Sequence, residues 1–409
     1  MDRYDYLIVG GGLAAASAVE GIRERDQDGS ILLLTDEEEP PYHRPPLSKE
    51  FLQAPGAGRE LLHVKPEGWF EDTAGVDLRL ETKVTDLAPR ERVVTVEGGE
   101  TFAGERILLA TGGRPRTLSL PGFDLDGVHT LRTVGDSEAL RDAASDADEA
   151  LLVGAGFIGM ELAASFGELD VRPAVVELQD RVWSRMLPRD LSEFVQGYFE
   201  DRGVEFRLSR RVAELRGDDR VEGAVLDDGS EVSCQLVVVG VGIEPAEGLA
   251  RDAGLAVQDG IVVDENGETS HGYIYAAGDV ARYPDPVFGD LTRVEHWDHA
   301  KAHGKTVGRN MAGADEAYDH LSYFFSEAFD LSLNVFGRPA GADRTILSGE
   351  LPEGGIVYCG EEGRLCATVL VNDHDSMDRC RELVRRRPSM EEVEAHLKED
   401  STADPAEVG

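Results

Sequence analysis

Lysine is scarce in this chain. Of 41 basic residues only six are lysine (Lys49, Lys65, Lys83, Lys301, Lys305 and Lys398), against 80 acidic residues, for a net charge of −39. Such a surface repels nucleic acid and anionic membranes, and neither is expected as a partner. Cysteine is rarer still. Cys234, Cys359, Cys366 and Cys380 form no C-x-x-C, and no His/Cys cluster has zinc or iron–sulfur spacing. They read as reduced core thiols, with no metal site. No apolar run approaches the roughly 18 residues of a membrane span, and no secretory signal precedes the first strand, which starts by Tyr6. A soluble, cytoplasmic protein is expected. The acidity reads as adaptation to a salty cytoplasm, where self-repulsion is screened because the Debye length falls to about 3 Å at 1 M salt. An acidic but ordinary enzyme is the alternative, and refolding in dilute buffer separates the two.

At 409 residues two or three domains are expected. The first stretch organises the rest. Tyr6–Val9 is an apolar run suited to a buried parallel strand. Gly10-Gly11-Gly12 follows at once, and Leu13-Ala14-Ala15 opens a helical segment, giving G-x-G-x-x-A. Backbone N–H groups and a helix N-terminus can there face a pyrophosphate with no side chain in the way. The acidic residue such a turn requires stands at the end of the next strand, Ser30–Thr35, as Asp36.

A second copy begins at Ala150. Leu151–Val153 is its strand, Gly154-Ala155-Gly156-Phe157-Ile158-Gly159 a full G-x-G-x-x-G, and Ala174–Val176 the next strand, closed by Glu177. The copies also match downstream. Val76–Leu87 reads VDLRLETKVTDL and Val204–Leu215 reads VEFRLSRRVAEL, and Gly112 and Gly240 each lie 36 residues past their Val. One nucleotide-binding domain was duplicated. The first copy carries an additional Pro-rich loop, residues 37–52, which holds Lys49. After Gly242 the chain is expected to return to the first domain, with a short strand before Asp279 and a helix in the second half of residues 293–312. Lys301, Lys305 and Arg309 recur every four residues and share one face of that helix. A solvated face is the plain reading of it. Tyr323–Gly337, Ile356–Cys359 and Leu365–Val371 suggest a small antiparallel sheet. Ser376–Arg387 reads as a helix, and Ser389–Glu392 as the capping box of a last one.

The expected architecture is therefore α/β: two duplicated Rossmann-like domains plus a small α+β C-terminal domain. The expected boundaries are 1–113 with 243–317 for the first domain, 114–242 for the second and 318–400 for the third, followed by a disordered tail, 401–409.

These pieces resemble the FAD-dependent pyridine-nucleotide reductases, in particular the ferredoxin-reductase branch. The resemblance runs from residue 1 to about 390. It is carried by the first glycine turn with Asp36, by Arg44-Pro-Pro-Leu-Ser-Lys49, by Ala110-Thr111-Gly112 and by Ala277-Gly278-Asp279. It implies that the first domain holds FAD, the second NAD(P)H, and that the C-terminal domain covers the flavin. By the same resemblance Gly10, Gly12 and Ala14 would pack on the FAD pyrophosphate. Asp36 would bind the adenosine ribose, Asp279 the ribityl chain or phosphate, Arg44 and Arg132 the FAD, and Val84 its adenine. Trp297 would meet the flavin ring through its backbone, and Lys49 would sit beside the flavin N5/O4 edge. Gly154, Gly156, Gly159 and Gly242 would serve the second nucleotide.

Two acids complete the expected site. Glu177 would accept hydrogen bonds from a ribose 2′-OH and repel a 2′-phosphate. Gln179 and Asp180 precede Arg181, so no arginine follows at once, and NADH is expected over NADPH. Glu161 falls in the first turn of the second helix, and the family pairs this glutamate with the lysine that is Lys49 here. The plain alternative is a glutamate placed for the helix dipole.

Pro40–Ser48, where disulfide reductases of this superfamily carry their redox cysteine, has none. Electrons must leave to an external acceptor. The resemblance implies a small iron–sulfur protein, a ferredoxin or rubredoxin, and Lys301, Lys305 and Arg309 would steer an acidic acceptor. The branch commonly has F-W-S-D-Q where this chain has Phe324-Phe325-Ser326-Glu327-Ala328. An NADH oxidase or diaphorase, and a redox-gated interaction protein like apoptosis-inducing factor, stay open as alternatives, as do monomer and homodimer.

Overall fold

The computed structural model describes residues 1–54 and 56–399. Residue 400 and the expected tail, 401–409, lie outside the described residues. The chain forms two compact units. The first comprises Met1–His43, Gly58–Arg114 and Ile243–Ser322; the second comprises Arg44–Ala57, Pro115–Gly242 and the chain from Tyr323 onward.

The first unit is built on a seven-stranded sheet. Its parallel part runs Val76–Arg79, Ile31–Leu34, Asp2–Val9, Thr101–Leu109, with Ile274–Ala276 beyond. Ile31–Leu34 and the C-terminal ends of Asp2–Val9 and Thr101–Leu109 are apolar runs with no polar alternation, because both faces are covered, whereas the edge strand Val76–Arg79 (VDLR) alternates. Alternate residues feed two cores. Tyr6, Ile8, Ile31 and Leu33 pack on the helix Leu13–Arg23. Leu7, Val9, Leu32 and Leu34 face the other way, with Phe102 and Tyr283. An antiparallel extension, Val93–Val96 and Val84–Ala88, continues the sheet from the first half of Thr101–Leu109.

The sequence LAAASAVEGIR gives the first helix small residues where a second helix, Trp297–Met311, lies against it. A Cβ on Gly304 would overlap the Ala14 carbonyl oxygen, one on Gly308 that of Ala18, and one on Gly21 that of Lys305. Such backbone approach admits no larger residue.

The second unit repeats the parallel order: Glu205–Leu208, Arg172–Glu177, Glu149–Val153, Leu236–Val239, then Val128–His129. An antiparallel trio, Val212–Arg216, Gly223–Leu226 and Glu231–Ser233, stands where the first unit has its antiparallel extension. The same unit holds a five-stranded antiparallel sheet from Tyr323–Ala328 to Arg364–Val371. The helix Met377–Arg386 buries Cys380, Leu383 and Val384. Ser389 and Glu392 form the capping box of the helix Met390–Glu399, with Ser389 N donating to Glu392 Oε2 (2.8 Å) and Glu392 N to Ser389 Oγ (3.3 Å).

Thr101–Leu109 is one continuous strand, and Gly104 lets it pass over Leu7, whose Cβ would lie 2.7 Å from a Cβ there. One detail differs from the sequence reading. Arg44–Ala57 packs with the second unit, although sequence order attaches that loop to the first. Its hydroxyl, amide and carbonyl groups find partners there: Ser137 Oγ donates to Leu47 O (2.7 Å) and Ser165 Oγ to Ser48 O (2.6 Å).

Candidate active site

The first glycine turn leaves the end of Asp2–Val9 at Gly10, whose φ of +113° suits glycine, and a Cβ there would overlap the Ala110 carbonyl. Gly12 caps the helix Leu13–Arg23 in an extended conformation, with no side-chain cap. A Cβ on Gly12 would meet nothing within 4 Å. The helix N-terminus is thus left bare toward open space, which fits a pyrophosphate. Ala14 is buried, and Gly278, at φ +75°, brings the Asp279 turn against it: a Cβ on Gly278 would lie 2.7 Å from that of Ala14. Asp36 stands exposed two residues past the strand Ile31–Leu34. Val84 opens the strand Val84–Ala88 and is half-buried.

The Asp279 carbonyl accepts from Arg293 Nη1 (3.2 Å). Trp297, the first residue of its helix, donates from Nε1 to His43 Nδ1 (3.0 Å). Lys301 Nζ lies 5.0 Å from the Trp297 ring centroid and is exposed. Burial, together with the Lys301 charge, holds His43 below its ordinary range. The other two cations of this helix face are engaged: Lys305 Nζ pairs with Glu24 Oε1 at 2.6 Å, and Arg309 reaches both Glu24 (3.4 Å) and Glu316 (2.8 Å).

In the second unit, Gly154 takes φ +105°, and Gly156 caps the helix Phe157–Glu168 without a side-chain cap. The nearest atom to a Cβ on Gly156 would be Gly240 O at 3.9 Å. This turn too is open in front of a helix N-terminus. Gly159 has no room at all, since a Cβ would overlap the Gly154 oxygen. Glu177 closes the strand Arg172–Glu177, and both carboxylate oxygens are used: Oε2 accepts from Ala155 N (2.7 Å) and Oε1 from Gln179 N (2.8 Å). The acid is thereby fixed against the glycine turn. Gly242, at φ +96°, has open space where its Cβ would stand.

The same unit brings Lys49 and Glu161 together, with Nζ 2.8 Å from Oε1 and both side chains largely buried. Ser48 Oγ lies 2.5 Å from Glu161 Oε2, and Ser326 Oγ 3.4 Å from Oε1. A buried carboxylate needs such partners, because desolvation otherwise disfavours the charged form. The Phe325 ring centroid lies 5.9 Å from Lys49 Nζ. Phe157, at the head of the helix, packs edge-on against Phe324 (5.1 Å) and near Trp183 (6.0 Å). The Arg44 guanidinium donates to the Arg132 carbonyl, which places these two arginines side by side. Sequence reasoning missed Ser48 and Ser326 as partners of Glu161. Ser48 lies inside the Arg44–Lys49 run, and its adjacency to Lys49 was the available signal; nothing local marks Ser326.

The chain matches the family model for pyridine nucleotide-disulphide oxidoreductases over residues 4–304, and that for the reductase C-terminal domain over residues 323–404. The chain belongs to the pyridine nucleotide-disulphide oxidoreductases. It is 36% identical to a probable ferredoxin reductase, CtmF, of Castellaniella defragrans, over 90% of each chain. It is 33% identical to the ferredoxin–NAD(+) reductase component of the anthranilate 1,2-dioxygenase system of Burkholderia cepacia, again over 90% of each. The crystal structure of the ferredoxin reductase for the CYP199A2 system of Rhodopseudomonas palustris superposes with a TM-score of 0.92 at 32% identity, covering 98% of this chain and all of that one.

As a pyridine nucleotide-disulphide oxidoreductase the protein is an FAD- and NAD(P)H-dependent oxidoreductase, and the two uncapped glycine turns fit those dinucleotides. Disulfide chemistry is another matter. The loop Pro40–Ser48 carries no cysteine, and all four cysteines are buried free thiols. Burial pushes Cys234 and Cys366 up to about 12 and Cys359 higher still, so none of these three is poised as a thiolate. Among the described residues no helix is long and apolar enough to cross a membrane.

Proposed function

We propose that this oxidoreductase takes hydride from NADH onto FAD and passes electrons singly to a small iron–sulfur protein of ferredoxin or rubredoxin type. The observation that carries the reading is the buried Lys49–Glu161 pair, held by Ser48 and Ser326, in a chain with no cysteine where the family places its disulfide. The flavin, when bound, supplies the chemistry: it accepts two electrons and releases them one at a time.

The chain's own residues bind and orient. In this reading residues 1–113 and 243–317 hold FAD through Gly10, Gly12, Ala14, Asp36, Val84, Asp279 and Trp297, joined by Arg44 and Arg132. Residues 114–242 hold the nicotinamide nucleotide through Gly154, Gly156, Gly159 and Gly242. Lys49 presents its side-chain nitrogen to the N5/O4 edge, and Glu161, 2.8 Å away, holds it in register. Glu177 receives the ribose 2′-OH on lone pairs that Ala155 and Gln179 leave over, and its charge repels a 2′-phosphate; NADH is the donor. The ferredoxin–NAD(+) reductase relative supports this choice.

Lys301 is the exposed cation of its helix face and the best placed of the three to steer an acidic acceptor. Lys305 and Arg309 reach a partner only by leaving Glu24. The net charge of −39 fits a salt-rich cytoplasm.

The test is cytochrome c reduction by NADH, in high salt, with and without a [2Fe–2S] ferredoxin from the same cell. Strong dependence on the ferredoxin is expected. Equal rates without it would overturn the acceptor assignment.

A further inference from the structure

Glu177 is not the last charge at its end of the second nucleotide turn. Asp180, three residues on, takes Arg181 Nη1 on Oδ1 at 3.1 Å and Arg189 Nη2 on Oδ2. One exposed carboxylate thus binds two guanidinium groups. Neither arginine is placed where a helix would want it. Arg189 is the first residue of the helix Arg189–Glu200, where the dipole disfavours a cation. Arg181 spends a second donor on the Ser184 carbonyl (3.2 Å), and its Nε is buried with no hydrogen-bond partner among the described residues. Local stability alone does not ask for two arginines here.

We propose that Asp180 is a second specificity-determining residue for the nucleotide: it occupies Arg181 and Arg189, the two cations that would otherwise receive a 2′-phosphate, and so completes the discrimination that Glu177 begins. The proposal rests on reading the second turn as the NADH site. Arginine is the side chain suited to phosphate, with its planar fork of donors. An arginine already bidden to a carboxylate must break that pair to bind one. The nearby Arg210, whose amide donates to the Glu177 carbonyl (3.0 Å), is treated the same way: its Nε lies 2.6 Å from Asp228. The adenosine end is therefore rich in arginine yet offers no unpaired cation among these three. Removing Glu177 alone takes away the repulsion and leaves the attraction masked. Removing both acids frees Arg181 from its carboxylate and leaves Arg189 only its longer pair with Glu193 (3.4 Å), unmasking a phosphate site that the chain already carries.

The experiment is calorimetric titration of the FAD-loaded protein with 5′-AMP and with 2′,5′-ADP at matched ionic strength. It is run on the natural protein, on Glu177→Gln, on Glu177→Gln with Asp180→Asn, and on that double variant with Arg181→Gln and Arg189→Gln added. Asparagine keeps an acceptor for the loop and removes only the charge. The double variant is expected to bind 2′,5′-ADP about tenfold or more tightly than Glu177→Gln does, the effect of one or two charge-assisted hydrogen bonds. Its affinity for 5′-AMP should equal that of Glu177→Gln, and the two arginine substitutions should abolish the gain. Equal 2′,5′-ADP affinity in Glu177→Gln and the double variant would overturn the proposal, as would a gain that survives loss of both arginines. The underlying reading fails separately, on the natural protein alone, if 2′,5′-ADP binds as tightly as 5′-AMP.

Discussion

The two glycine turns follow the same course and are held by different side chains. In the first, Thr35 fills the space beside Gly11, and Asp36 stands exposed beyond it. In the second, the acid itself does both: Glu177 grips Ala155 N and points its charge at the same spot. The third position differs too. Ala15 fits, fully buried, in the first helix, whereas Gly159 admits no Cβ. Farther along, the first helix has buried Ser17 where the second has Glu161. Duplication kept the backbone and reassigned the side chains. In the second copy Glu177, which fixes the turn, is also the residue proposed to meet the ribose, so on that proposal specificity and local stability change together there. In the first copy they are separable.

The strongest way to break this contrast is at the matched pair Glu161 and Ser17. Glu161→Ala leaves Lys49 as a buried cation without its carboxylate, at a cost of about 3–5 kcal/mol. On the role proposed for Glu161, its loss should also slow flavin reduction by NADH by about 100-fold. Ser17→Ala should cost about 1 kcal/mol or less. Denaturant titration and stopped-flow absorbance check both, and Lys49→Met with Glu161→Leu should destabilise less than Glu161→Ala alone. Equal effects at the two sites would remove the distinction.

Next come the reciprocal swaps at the third turn position. Gly159→Ala forces a methyl onto the Gly154 carbonyl and should cost about 3 kcal/mol. Ala15→Gly only loosens a helix and should cost about 1 kcal/mol. Urea midpoints report both.

Acid sharpens the comparison from the side of the first unit. His299 and His303 are buried there with Tyr283 and Tyr318; His299 Nδ1 lies 2.9 Å from the Tyr318 hydroxyl, and neither nitrogen of His303 has a partner among the described residues. Burial holds both rings neutral, His303 down to about 3 and His299 well below 6.5. The unfolded chain takes up these protons near pH 6.5, so it binds more protons than the native state on the acid side. Stability is therefore full above that pH and is lost as pH falls toward 3, by about 1.4 kcal/mol per pH unit for each ring. His303→Phe should remove one ring's share, up to about 1.4 kcal/mol per pH unit, from this slope in urea titrations at pH 7, 6 and 5, leaving the shares of His299 and of His296, which burial holds at about 4; an unchanged slope would remove His303 from the account.

The smallest effect is expected at Lys305→Ala. It loses a half-exposed pair with Glu24, worth about 0.2–1 kcal/mol, and a thermal scan checks it. A larger drop would mean that the pair, rather than the glycine contacts, joins the two helices.

What could be read from the residues was whatever repeats locally. The two turns, their strands and their terminal acids rest on short patterns, and the duplicated spacing tied the copies together. Glu161 and Lys49 entered only through the Arg44–Lys49 run and the family it resembles. The helix face of Lys301, Lys305 and Arg309 shows where local pattern stops. A period of four residues says which side chains share a face, and says nothing of Glu24, some 280 positions away, which occupies two of them. Ser326 on Glu161 is illegible for the same reason: its partner is 165 residues away, and a serine in a strand carries no signal of its own. The placement of Arg44–Ala57 with the second unit depends on side chains such as Ser137 and Ser165, which no turn or proline pattern could announce.

The glycine seats between Leu13–Arg23 and Trp297–Met311 also set a timetable. The first helix leaves the ribosome early, yet Ala14 and Ala18 have no backbone to lie against until Gly304 and Gly308 emerge. At roughly 5–20 residues per second that wait is on the order of 15–60 s. Throughout it the nascent first unit must hold an unfinished helical face in a crowded cell, while Pro115–Gly242 is being made. Contacts of such long sequence separation make folding slow.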